Sequence, residues 1–244
     1  MPDRRARQVR FAFAWGAVGS LADLESAARR AEGLGYDVLL VPDHLGDQLA
    51  PLLALLAVAR STSHLRVATM VLDNDFRHPA VLAKELATLD VLTEGRLEVG
   101  IGAGWFADEY RSAGIPFEAA ATRVSRLGET LQVLRALFDG GPVTHHGAHL
   151  RLDGFELRPR PHQVGGPPIL VGGGGERVLR LAGRCADIVN ITHVGGGLDG
   201  MDPTELTLAA FQRKVAIVRD AASSRGHVPE IGTNLLGVSI TDDR

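Results

Sequence analysis

Residues 65–102 read LRVATMVLDNDFRHPAVLAKELATLDVLTEGRLEVGIG. The two ends, Leu65–Leu72 and Arg96–Gly102, are apolar runs too short for a helix, as expected of strands buried on both faces of a parallel sheet. Between them Pro79–Leu92 is helical sequence, so the segment is a strand, a crossover helix and a second strand. Working outward, Asp37–His44 (DVLLVPDH) repeats the strand pattern, and Leu49–Arg60 (LAPLLALLAVAR) supplies the helix after it. Further back, Val9–Trp15 (VRFAFAW) is a strand. Ser20, with Asp23 three residues on, then predicts a capped helix whose apolar face is Leu21, Leu24, Ala28 and Ala31 and which Gly35 ends. The strands start about 28 residues apart, the length of one strand–helix repeat.

After Gly102 the spacing breaks. Arg123–Phe138 is a long amphipathic helix and Val143–Pro161 alternates like a hairpin, so this region reads as an insertion before the fifth strand. The repeat resumes with Pro167–Gly173, a helix over Glu176–Cys185 and the strand Ala186–Ile191. Asp202 as cap, Pro203 in the first turn and Glu205 predict a further helix to about Ser224, and Glu230–Thr241 predicts a last strand. Seven strands in this order predict a (β/α)8 barrel of the TIM type that lacks its final helix and strand unit, with an open doubly wound sheet as the alternative.

Composition narrows the function classes. With 244 residues, 45% apolar and 23% charged, the chain can bury one large core, and residues 1–244 read as a single domain. A net charge of −3 lacks the basic excess with which nucleic-acid or anionic-membrane binders hold polyanions. Cys185 has no second cysteine to pair with, and no apolar run approaches the ~18 residues of a membrane span, so a cytoplasmic protein is expected.

In such a barrel the functional groups gather on the loops that follow the strands. Here those loops are PDHLGD (42–47), LDNDFRHP (72–79), GAGWFADEY (102–110), GGGGER (172–177) and THVGGG (192–197). The run Gly172–Gly175 lacks the lysine of a P-loop and the spacing of a dinucleotide fingerprint. It precedes a helix start, where free N–H groups, the helix dipole and bare Cα atoms suit an anion, with Arg177 adding charge. On this reading a side chain at Gly173 or Gly174 clashes with the anion or denies the backbone a positive φ. His145, His146 and His149 lie in the hairpin with no acid beside them until Asp153, so we expect solvated side chains and no metal site. Cys185 is expected to be a small buried apolar group.

The stretches AEGLGYDVLLVPDHL (31–45), VLDNDFRHPAVLAKELATLDVLTEGRLEVGIGAGWFADEYRSAGIPF (71–117), RVSRLGETLQVLRALF (123–138) and LRPRPHQVGGPPILVGGGGERVLRLAGRCADIVNI (157–191) resemble the luciferase-like monooxygenase superfamily. Within it they look like the oxidoreductases that use the deazaflavin coenzyme F-420. The resemblance implies hydride exchange between F-420 and a small organic substrate. An FMN-dependent monooxygenase is the alternative on the same scaffold, and an inactive or truncated flavin-binding protein the third reading. It places Asp43 and His44 beside the ring, and Thr69, Met70 and Val71 behind it, with a non-proline cis peptide at Met70–Val71. Gly102, Ala103, Gly104 and Trp105 would border the ring and its tail, and Gly172, Gly173, Gly174 and Gly175 would hold the tail's phosphate. Some deazaflavin-dependent dehydrogenases carry a glutamate where this chain has Trp105, so their proton-transfer scheme does not carry over and His44 remains as the acid/base candidate. A homodimer is expected, and neither nucleic acid nor membrane is a partner. Relatives continue through another helix and an eighth strand and helix, so the chain reads as a shortened gene product.

Overall fold

A curled parallel sheet, wrapped on its outside by helices, forms the body of the protein. The computed structural model describes residues 9–193 and 202–235. In chain order the elements are β1 (Ala12–Ala14), α1 (Leu21–Gly33), β2 (Val38–Val41), α2 (Pro51–Ser61), β3 (Arg66–Thr69) and β4 (Leu72–Asp73). A 3-10 turn (Asn74–Phe76) leads to α3 (Pro79–Leu92), β5 (Leu97–Gly102), α4 (Ala107–Ala113) and α5 (Ala120–Asp139). The hairpin β6 (Pro142–His146) and β7 (Arg151–Glu156) precedes β8 (Ile169–Gly173), α6 (Glu176–Cys185) and β9 (Ile188–Ile191). A second 3-10 turn (Pro203–Leu206), α7 (Leu208–Ala222) and β10 (Glu230–Thr233) complete the described chain.

The strand order is β1-β2-β3-β5-β8-β9-β10, with every pairing parallel and β4, the continuation of β3, also paired to β5. Each strand lies beside its predecessor, without the reversal at a switch point that defines a doubly wound sheet, so the barrel reading holds and the alternative does not. Because successive side chains point to opposite faces, Leu39, Val41, Val67, Val99 and Ile101 pack outward with the helices in the main core. Val38, Leu40, Ala68 and Met70 form a second, smaller cluster on the concave face. Farther toward the strand starts, Arg10 bridges that face. Its guanidinium bonds Glu98 of β5 at 2.7 Å and Glu230 of β10 at 3.0 Å, and Glu98 also accepts Arg66 Nε at 2.6 Å.

The cap at Ser20 forms as the sequence indicates: Ser20 accepts the Asp23 N–H while Asp23 accepts the Ser20 N–H. The insertion is the long helix α5 followed by the antiparallel hairpin. Three boundaries differ from expectation. The first strand is only Ala12–Ala14. The helix announced at Asp202 is two elements: Asp202 accepts from Thr204 N and caps only the 3-10 turn, and Thr207, in extended backbone, accepts from Ala210 N and starts α7 afresh. The last strand is described over Glu230–Thr233, and the expected remainder to Thr241 falls largely outside the described residues, as do Gly195–Gly197.

Candidate functional site

The strand C-termini surround a cavity of about 1040 Å³. Asp43, His44, Met70, Val71, Gly102, Ala103, Gly104, Trp105 and the run Gly172–Gly175 all line it. Thr69 does not. It is fully buried, and its hydroxyl donates to Gly100 O at 2.7 Å and accepts Gly100 N–H at 2.9 Å, clamping the strand from behind. Next to it the Met70–Val71 peptide is cis, and Val71 packs where a Cβ at Gly102 or Gly172 would press on its side chain.

Asp43 is a strut rather than a free carboxylate. Arg77 grips it through both oxygens at 2.5 and 2.9 Å, and Oδ2 also accepts Asp73 N–H at 3.0 Å. The residue therefore fixes the loop after β4 to the end of β2.

His44 is held by a partner that the sequence reading missed. Its Nδ1 lies 3.1 Å from both carboxylate oxygens of Glu109 on α4, and Glu109 also accepts Leu45 N–H at 3.1 Å. The imidazole stands edge-on to Trp105 and Phe106, with centroids 5.7 and 6.2 Å away, and those two rings stack at 5.1 Å. With Nδ1 committed to a carboxylate, the ring is oriented and Nε2 is the nitrogen available for proton exchange.

Asp73 is the second missed residue. Tyr110 Oη donates to its Oδ1 at 2.6 Å and Asp75 N–H at 3.0 Å. Burial, reinforced by the neighbouring Asp75 and Asp43, raises its pKa to about 6 against the pull of those two donors. The Tyr110 hydroxyl is pushed up in turn, first by burial and then by its bond to Asp73. Gly104, at φ +74°, gives the tyrosine and Asp73 room: a Cβ there would run into both.

The glycine run has more than one purpose. A Cβ at Gly172 would press on Val71, at Gly173 on Val178, and at Gly174 on the backbone oxygens of Thr192 and His193. None of the four takes a positive φ. The expectation that a positive φ requires them is corrected, and packing also constrains three of the four. Gly175 differs, since a Cβ there meets nothing, and it is the N-cap of α6 without any side-chain cap. The open N–H groups of the first turn of α6, with Arg177 beside them on the cavity wall, therefore fit a phosphate.

Two of the three hairpin histidines have an acid against the imidazole. His145 lies 3.4 Å from Glu129 and His146 2.6 Å from Asp153. Among the described residues no three His, Cys, Asp or Glu side chains are arranged so that they could hold a metal ion, and no helix is long and apolar enough to cross a membrane. Cys185 is partly buried on α6 and its thiol is pushed up by burial.

A sequentially wound parallel barrel with an aromatic-walled cavity over its strand C-termini defines a class, the TIM-barrel enzymes, whose sites lie at that end. The chain belongs to the luciferase-like monooxygenase family, whose model matches residues 8–243. It is 32% identical over 173 residues to an F420-dependent glucose-6-phosphate dehydrogenase of Amycolatopsis mediterranei, covering 68% of this chain and 51% of that protein. It is 30% identical over 178 residues to an FMNH(2)-dependent dimethylsulfone monooxygenase of Pseudomonas putida, covering 73% of this chain and 46% of the other. The chain thus spans about half the length of these curated relatives. Among solved structures, the coenzyme F420-dependent tetrahydromethanopterin reductase of Methanopyrus kandleri superposes with a TM-score of 0.79 at 21% identity, over 93% of this chain and 65% of that one.

Proposed function

We propose that the chain is an oxidoreductase that exchanges a hydride between the deazaflavin F-420 and a small organic substrate. The observation that carries this reading is the pairing, in one cavity, of an uncapped helix start at Gly175 with an oriented His44–Glu109 dyad. Four F420-dependent glucose-6-phosphate dehydrogenases stand at 30–35% identity and two FMNH(2)-dependent dimethylsulfone monooxygenases at 30% and 31%, so the two at 35% lend the deazaflavin its support. A bound deazaflavin supplies the carbon that gives or takes the hydride. The chain supplies the rest: backbone N–H groups at the start of α6 to hold the phosphate, Met70 and Val71 as the wall behind the ring, and Trp105 with Phe106 to keep water away. His44 Nε2 is the site that holds or moves a proton, with Glu109 fixing its tautomer. A homodimer in the cytoplasm belongs to the same reading.

Fluorescence titration of the purified chain with F-420 and with FMN tests it. F-420 is expected to bind at least about tenfold tighter, equivalent to ~1.4 kcal/mol. Equal or reversed affinities replace it with an FMN-dependent monooxygenase on the same scaffold, the reading that the dimethylsulfone monooxygenase relatives support.

A further inference from the structure

We propose that Asp73 selects the substrate by charge, admitting uncharged alcohol or carbonyl compounds to the cavity in preference to phosphorylated or carboxylated ones. The inference rests on the oxidoreductase reading of this cavity and adds a substrate class to it. Three carboxylates meet beneath α4, and their partners differ. Asp43 is paired with Arg77, and Asp75 with Arg126 at 2.8 Å. Asp73 forms no ion pair among the described residues, although the charge of Arg77 reaches it: its Oδ1 takes Tyr110 and Asp75 N–H, its Oδ2 has no hydrogen-bond partner among the described residues, and the residue lines the cavity.

The basic groups near this wall are already engaged. Arg123 donates to the carbonyls of Ala103, Glu118 and Gly104 and covers the Phe117 ring, and Arg126 also pairs with Glu118. Arg177, on the wall beside Gly175, is where the cofactor's phosphate is expected. A second anion entering next to Trp105 would therefore face Asp73 and Glu109 with no unpaired arginine to meet it, an arrangement that rejects like charge. A neutral hydroxyl can instead donate to the ionised carboxylate or accept from the protonated carboxyl, whereas a carbonyl bonds only the protonated form and is otherwise merely not repelled. The ionisable groups around Asp73 are Asp43, Asp75, Tyr110, Arg77 and Arg126, with His44 and Glu109 on the same cavity. Because burial raises Asp73 to about 6, its selectivity should fade in mild acid.

Benzyl alcohol and benzoate share a ring and differ in charge, and saturation-transfer NMR reads the binding of each to the protein with and without F-420. At pH 8 the alcohol is expected to bind at least about tenfold tighter than benzoate. The gap should narrow at pH 5, and in Asp73→Asn it should be small at both values. Equal binding at pH 8, undetectable binding of the alcohol, or a gap that survives Asp73→Asn overturns the proposal. Fluorescence on the same samples reads F-420 binding separately: its loss sinks the deazaflavin reading, while the gap measured without F-420 judges Asp73 alone.

Discussion

His44 and Glu109 form a unit in which one residue handles the proton and the other aims it. Removing the imidazole by His44→Ala should lower turnover by ~10²–10⁴-fold while leaving cofactor affinity within a few-fold, as loss of a general acid or base does. Glu109→Gln keeps a hydrogen-bonding side chain but not the charge, so its effect should be smaller and should appear in turnover more than in binding. If His44→Ala turns over normally, the imidazole is only a wall. Asp73 makes a separate prediction about stability. Its pKa in the fold, about 6, lies above the ordinary 3.8, so the protonated form favours folding. That contribution is complete below about pH 4 and is lost as pH rises through 6. The Tm of Asp73→Asn minus that of the unmutated protein should therefore climb between pH 4 and pH 7, by the equivalent of roughly 2–3 kcal/mol at most. A difference flat with pH would show that Asp73 ionises normally.

At the scale of the element, the start of α6 separates packing from binding. Gly174→Ala must displace the backbone after β9, which Lys214 pins through Thr192 O at 2.7 Å, so it should cost about 1–3 kcal/mol and disturb binding only through the fold. Gly175→Asp has room and places a good N-cap on an uncapped helix, so Tm should hold or rise by up to ~1 kcal/mol equivalent. The same carboxylate opposes a phosphate, and F-420 affinity should fall at least about tenfold. If Gly175→Asp binds F-420 normally, the cradle at α6 is not where the phosphate sits. These opposite signs could not be read from GGGGER. The run advertises bare backbone, but its reasons come from Val71, Val178 and the Thr192–His193 carbonyls, which lie near it only after folding. The strands themselves were legible, because burial on both faces leaves a continuous apolar run. Glu109 was not: GAGWFADEY shows acids, but only the return of α4 over the end of β2 picks the one that reaches His44. Thr207 was missed because, with Pro203 marking a start, a second threonine cap looks like any polar helical residue.

Across the whole molecule, β1 and β10 are the two ends of the strand order, and Arg10 reaches from one to the other through Glu98 and Glu230. Glu98 is almost fully buried and keeps Arg66 when Arg10 is removed, so Arg10→Ala should cost about 1–3 kcal/mol rather than unfold the chain. The clasp also bears on motion. Amides of β3, β5 and β8, paired on both sides, should exchange with deuterium only through large openings, whereas those of the end strands should exchange through local fraying. Two end strands that share no backbone bond would ordinarily fray independently. Joined through one guanidinium, they are expected to loosen together, so that Arg10→Ala accelerates exchange at Phe13 and at Ile231 in the same experiment while Val99 stays protected. Acceleration at one end alone would mean that the clasp carries no mechanical link. Acceleration at both would make a single charged side chain the drawstring of the barrel's mouthless end.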